Sequence, residues 1–266
     1  MSLAHWMPYW STLPLLLAAA LPAWLYSVWK RNVNITDTLW SLFFLLAGAT
    51  YLMTAHSLMQ SPRAAVVMAC VTLWAIRLAL HLGWRNHGAP EDRRYFKLRV
   101  ANEPFWLKSL YIVFGLQAGL AWFISLPLFG AIAGDAPFGL LDYAATALWL
   151  TGFLCESIAD WQLARFRSDP RTRRSVMRYG LWHYSRHPNY FGECCLWWGF
   201  YLFACAAGAW WSLPAPLLMT FLLLRVSGVA LLEADIGQRR PEYAQYVRST
   251  SSFIPRRPQE QPGTLQ

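Results

Sequence analysis

The sequence predicts an all-α membrane protein of seven transmembrane helices, with its N-terminus outside and its C-terminus in the cytoplasm. Three observations predict it. Of 266 residues, 56% are apolar and 14% are charged, where a soluble domain carries about 25% charged residues. Seven apolar windows, roughly 10–29, 38–59, 64–84, 105–129, 138–161, 189–209 and 211–233, each supply the ~20 helical residues that a hydrocarbon core demands. Finally, 20 of the 23 Lys and Arg residues fall after the first, third, fifth and seventh windows, which leaves Arg63 on the opposite side. The positive-inside rule then sets the orientation, and six or eight windows would break the alternation.

The first window has no basic segment before it and is followed by Lys30 and Arg31, which suits a retained span rather than a cleaved signal. Pro14, Pro22, Pro127, Pro214 and Pro216 fall within windows, where neighbouring helices tolerate them. The second and sixth windows hold no Lys or Arg, the third holds Arg77 and His81, and the seventh holds Arg225. The run Glu91-Asp92-Arg93-Arg94-Tyr95 alternates in charge, as a solvated loop does. The tail Pro255–Gln266, rich in Pro, Gln and Arg, reads as disordered. With no repeat, Gly/Ser linker or low-complexity block, residues 1–266 form one integral membrane domain.

Composition also removes classes of function. The net charge of +9 does not point to nucleic acid. It reflects topology and contact with anionic lipid heads, or a site for a polyanionic cofactor. Cys70, Cys155, Cys194, Cys195 and Cys205 lie in apolar segments without a CxxC pair, so neither a disulfide framework nor a zinc site is expected and no metal is assigned.

Chemistry-bearing residues gather at one depth. Asp37 opens the second helix, Arg77, His81 and Arg85 recur every four residues, and Glu156 pairs with Asp160 and Asn189 with Glu193 at the same spacing. Residues four apart share a helix face. Arg225 and Glu233 belong to the seventh helix, and His56, near the outer end of the second, is the exception. These groups either tie helices together as ion pairs or line a water-accessible pocket open to the cytosol. The pocket accounts better for the histidines and the asparagine. Tyr95 adds a phenolic donor beside His81 and Arg85.

The densest stretch is Tyr184-Ser185-Arg186-His187-Pro188-Asn189-Tyr190-Phe191-Gly192-Glu193, which runs straight into an uncharged segment. Extended to Gly180-Leu181-Trp182, it resembles the C-terminal half of the steroid 5-alpha-reductase family. More closely it resembles the bacterial branch of that family, long labelled a domain of unknown function. Asn34-x-x-Asp37-x-x-Trp40, Glu91-Asp92-x-Arg94-Tyr95, Tyr243-x-x-Tyr246 and Thr250–Pro255 extend the likeness over about residues 34–255.

The resemblance implies seven membrane helices with NADPH held in the cytoplasmic half, in the bacterial inner membrane. It also implies reduction of a C=C bond conjugated to a ketone or thioester in a lipophilic substrate. The family's cofactor positions map onto Arg85, Asp160, Arg167, Asn189 and Glu193. In related sterol reductases a run like Arg186, His187, Asn189 and Tyr190 lines the NADPH site, and Tyr246 of the closing motif joins them. The chemistry agrees, because guanidinium forks match phosphates and Arg85, Arg167 and Arg171 offer them. Asp160 and Glu193 can accept from ribose hydroxyls or a carboxamide. No GxGxxG run announces a Rossmann domain.

One departure matters. Steroid reductases grip the substrate carbonyl with a helix-three tyrosine and a helix-two glutamate, but here Leu82 stands in the first place and helix two has no Glu. Tyr95, His81 and Glu91 are then the candidates for the proton donor that polarises the carbonyl. Two rival readings stay open. Arg186–Gly192 and Glu233 also match the motif of isoprenylcysteine carboxyl methyltransferases, which use S-adenosylmethionine. A non-catalytic lipid- or sterol-binding protein would also suit the missing grip.

Overall fold

The structure, a computed structural model, describes residues 3–54, 61–172, 175–226, 229 and 242–258. Among these residues every regular element is a helix and none is a strand. We number the main ones α1 (Leu3–Lys30), α2 (Ile35–Thr54), α3 (Pro62–Asn86), α4 (Arg93–Ala101) and α5 (Phe105–Ala133). They continue with α6 (Leu140–Ser168), α7 (Leu181–Tyr184), α8 (Pro188–Ala206), α9 (Trp210–Val226) and α10 (Tyr243–Ser249). Four of them are long and apolar enough to cross a membrane: α1 from His5, α2, α3 and α5. α6 and α8 fall where spans were expected, but α6 carries Glu156, Asp160, Arg165 and Arg167 and α8 opens on the polar run Asn189–Glu193. His56 and Glu233 lie outside the described residues.

Local chemistry sets the boundaries. Ser61 caps α3 by accepting from Ala64 N at 3.4 Å, with Pro62 in the first turn, where a missing N–H costs nothing. α5 holds a π-helical stretch over Leu110–Gly115 and a break at Ser125. There the Ser125 hydroxyl donates to Trp122 O at 2.7 Å and meets Tyr51 Oη at 2.6 Å. One expectation is corrected. The charged run after α3 is not a solvated loop, because Asp92 accepts from Arg94 N at 2.9 Å and starts α4. An N-cap converts a charged run into a helix start.

The chain forms two compact units, Met1–Asp142 with Tyr201–Ala215 and Tyr143–Phe200 with Pro216–Gln266. In the first, Phe43, Phe44, Val67, Val71 and Trp74 are fully buried along α2 and α3. An aromatic cluster stacks Tyr9 on Trp122 at 4.6 Å and sets Tyr51 against Phe129 at 5.3 Å. This unit also holds a buried ion pair. Arg63 Nε and Nη2 meet Asp142 Oδ1 and Oδ2 at 2.6 and 2.8 Å, and its Nη groups donate to Ala136 O and Pro137 O at 2.8 and 2.9 Å.

The second unit is organised by the contact of α6 with α8, described next. Thr220 Oγ1 on α9 accepts from Trp198 Nε1 of α8 at 3.2 Å. Residues 175–187 fold back so that Met177 and Trp182 bury against Ala159, and Trp182 Nε1 donates to Ala159 O at 3.0 Å. Pro255–Pro258, the start of the expected tail, are described, and Arg256 N donates to Tyr184 O at 2.9 Å.

Candidate functional site

The site of the second unit starts from two glycines. A methyl group on Gly152 would stand 2.5 Å from Gly192 O, and one on Gly192 would stand 2.5 Å from Glu156 N. Only hydrogen at both positions lets the backbones of α6 and α8 touch. That contact sets the buried carboxylates Glu156, Asp160 and Glu193, which are 3%, 8% and 9% exposed, beside the opening turn of α8. Asn189 Nδ2 donates to Asp160 Oδ1 at 3.1 Å. A carboxylate accepts and does not donate, so this bond decides which way the amide points. The other amide atom, Asn189 Oδ1, is buried and has no hydrogen-bond partner among the described residues. Leaving such an acceptor unmet costs about 1–3 kcal/mol.

The residues before Asn189 are firmly held. Ser185 Oγ donates to Phe253 O at 2.8 Å and accepts from His187 N at 3.1 Å. Arg186 Nη1 donates to Val247 O at 2.9 Å and Thr250 O at 2.8 Å. Tyr246 Oη donates to Trp182 O, with Ser185 O a second acceptor at 3.3 Å. His187 stacks on Tyr190 with ring centroids 5.8 Å apart and planes at 7°. Gly180 has φ +60 and faces Gln162, a turn that a side chain would strain. Arg167 ends α6. Arg171 is exposed and pairs with Asp169 at 2.9 Å, and its hydrogen bonds hold the Asp169 carboxyl below the ordinary value.

The remaining sequence-predicted residues sit in the first unit, around Asp37. Tyr95, 7% exposed, donates its phenol to Asp37 Oδ1 at 2.7 Å. It accepts from Gln117 Nε2 at 3.3 Å, and Thr36 Oγ1 donates to Gln117 Oε1 at 3.0 Å. Arg85 and Arg94 both reach Asp37 Oδ2 at 3.4 Å. Burial, and next the Asp37 charge, push the Tyr95 phenol well above its ordinary pKa. Burial alone would raise Asp92, but the Arg94 side-chain and backbone hydrogen bonds outweigh it and hold the carboxyl low.

Glu91 was expected among the proton donors, yet its oxygens accept from Arg99 at 2.7 and 2.8 Å and from Val33 N at 3.0 Å. It acts here as a clip between α4 and the start of α2. His81 is half-buried on α3. A groove of about 770 Å³ lies between α2 and α3, lined by Thr38, Leu42, Ile76, Ala79, Gly83 and Trp84 among others.

Thus the structure brings together Asp160, Asn189, Glu193, Arg186, His187, Tyr190 and Tyr246 in the second unit, and Arg85 with Tyr95 in the first. Sequence reasoning missed Gln117, although a lone amide in the apolar window 105–129 was a visible signal. It also missed Gly152, whose partner lies 40 residues on in the sequence and has no local signature.

Residues 23–250 match a family described as a protein of unknown function, DUF1295. A relative from Schizosaccharomyces pombe, described as an uncharacterized protein, is 29% identical over 270 residues, spanning 88% of this chain and 75% of the relative. No solved structure matches. The chain belongs to the DUF1295 family.

Proposed function

We propose, taking that membership as the premise, that this protein is an NADPH-dependent membrane oxidoreductase that reduces an activated C=C bond of a lipophilic substrate. The observation that carries the reading is Asn189. Its Nδ2 is fixed on Asp160, and its buried Oδ1 has no hydrogen-bond partner among the described residues. An acceptor in that state suits a ligand N–H or O–H, as in a carboxamide or a ribose hydroxyl. When bound, NADPH supplies a hydride to the carbon β to the substrate carbonyl.

The rest follows from the chain's own groups. Asp160 orients the Asn189 amide, and Glu193, one turn along α8, offers further acceptor oxygens. Arg167 and Arg171, at and just beyond the end of α6, supply the cations that phosphates need. His187 and Tyr190 form the wall at the start of α8. Arg85 lies in the first unit, where it pairs with Asp37. Of the candidate proton donors, Tyr95 comes first, ahead of His81 and Glu91: its phenol is protonated at neutral pH, and its one O–H, donated to Asp37, would have to turn from there to the substrate carbonyl. The groove between α2 and α3 has the size and apolar lining for a hydrocarbon chain.

The reading includes the finer topology: α6, α8 and α9 as the remaining spans, the N-terminus outside, and the cofactor site facing the cytoplasm of a bacterial inner membrane. Its support is the basic count at alternate helix ends.

Thermal unfolding of the purified protein with NADPH, NADH or S-adenosylmethionine tests it. Ligand at 100 times its Kd stabilises by about 2.7 kcal/mol. NADPH is expected to raise the midpoint, and Asn189→Ala is expected to abolish the rise. A rise with S-adenosylmethionine alone turns the site into that of a methyltransferase, and no rise with any of the three removes the oxidoreductase reading.

A further inference from the structure

Arg186 and Tyr246 came forward as cofactor ligands by resemblance, but both are spent on a different task. Residues 184–186 are stitched to residues 250–256 at three successive positions. Tyr184 O accepts from Arg256 N at 2.9 Å, Ser185 Oγ donates to Phe253 O at 2.8 Å, and Arg186 N donates to Ser251 O at 2.8 Å. The Arg186 guanidinium adds Val247 O and Thr250 O, carbonyls at the end of α10 that have no partner within the helix. Tyr246, on α10 itself, returns to Trp182 O and Ser185 O. Phe253 then sets its ring edge-on against Phe191 in the first turn of α8, with centroids 5.8 Å apart. Ser185, Arg186 and Tyr246 are 0%, 8% and 3% exposed, so the centre of this seam is buried.

We infer that Arg186 and Tyr246 are positioning residues. They fasten residues 242–256 as a strap over the connection into α8, and the strap sets where Asn189 stands. The link is short. Ser185 Oγ, the pivot of the seam, also accepts from His187 N. Only His187 and Pro188 separate Arg186 from Asn189, and the proline ring stiffens that step. A binding group must be held within about 0.5 Å of its productive place, so a loosened strap is felt at Asn189. The proposed site is therefore completed by a segment from the far end of the chain. The ligand readout rests on the NADPH reading, while the exchange readout does not.

Tyr246→Phe, which deletes one hydroxyl, and Arg186→Lys, which keeps the charge but loses the fork, are compared with the parent full-length protein in detergent. Hydrogen exchange is followed over residues 183–191 and 242–254, together with the affinities for NADPH and NADH. Both variants are expected to exchange faster in both segments. They should weaken NADPH and NADH by the same factor, roughly tenfold for one lost buried hydrogen bond, and the double variant should cost less than the product of the singles.

A protected strap with a loss confined to NADPH makes Arg186 a phosphate ligand and overturns the inference. Faster exchange with unchanged affinities reduces the seam to plain structure and overturns it too. If the parent binds neither nucleotide, the NADPH reading fails alone. Coupled exchange of the two segments then still supports the strap, and uncoupled exchange rejects it.

Discussion

Two polar pairs, one in each unit, are built to opposite ends. At Arg63 and Asp142, which are 1% and 0% exposed, the guanidinium makes four hydrogen bonds and the second carboxylate oxygen also accepts from Gly139 N at 2.8 Å. At Asn189 the amide nitrogen donates to Asp160, and the buried amide oxygen has no hydrogen-bond partner among the described residues. A closed network spends its polarity on holding chain segments in place. An open one keeps polarity in reserve, at a cost the fold must cover elsewhere. The difference separates structure from function more sharply than burial does, because Asp142 and Asp160 are both buried.

The largest expected effect breaks the closed pair. Arg63→Ala leaves the Asp142 carboxylate buried without its partner and should cost about 3–5 kcal/mol, read as a fallen unfolding midpoint. Arg63→Met with Asp142→Leu should recover much of that loss, and failure of the double variant to recover any would show that the pair is needed as charge. The open pair should respond far less. Asn189→Leu removes an unmet acceptor but also takes a donor from Asp160, two changes of about 1–3 kcal/mol and opposite sign, so the ligand-free midpoint should stay close to the parent's, while NADPH no longer shifts it. A clear loss of ligand-free stability would place Asn189 with the structural pairs.

Between the extremes lies the Asp37 cluster, whose phenol, carboxylate and amide satisfy one another. Tyr95→Phe should cost about 1–2 kcal/mol as Asp37 loses a donor. The proposed role of Tyr95 further requires turnover to fall with NADPH affinity kept, and equal turnover would remove it. The smallest effect is a titration. Asp92 has a lowered pKa in the folded protein, so its contribution is present above the ordinary carboxylate value of about 3.9 and is lost as pH falls through the lower folded value. Asp92 is partly exposed, so the effect should stay under about 1 kcal/mol. Acid unfolding curves of the parent and Asp92→Asn should converge at the acid end and separate above it.

Much of the helical layout was legible because apolar length and helix-ending residues act locally. Ser61 with Pro62 marks the start of α3 without reference to anything distant. α4 was misread because its charges alternate as loop charges do, although Asp92 two residues before Arg94 already had the geometry of a cap. At the site, the four-residue spacing of Glu156 with Asp160 and of Asn189 with Glu193 was enough to nominate them. The work of Arg186 was hidden because its partners are main-chain carbonyls, which every residue possesses. Arg63 was counted only as a stray charge, because Asp142 lies 79 residues away.

The touching backbones of α6 and α8 have a mechanical consequence. They meet along a length: Gly192 lies against Glu156, Gly152 against Leu196, and Gly199 against Trp149. From residue 192 to residue 199 that is about 10 Å of α8 at 1.5 Å per residue. Two rods seated along such a length can neither slide closer nor rock about a point, so the crossing works as a clamp. Asp160 stands four residues beyond Glu156, the last residue of α6 in that contact, an overhang of about 6 Å. Asn189 stands three residues before Gly192, so the hydrogen bond that aims the amide is made just outside the jaws, at an angle the clamp has already fixed.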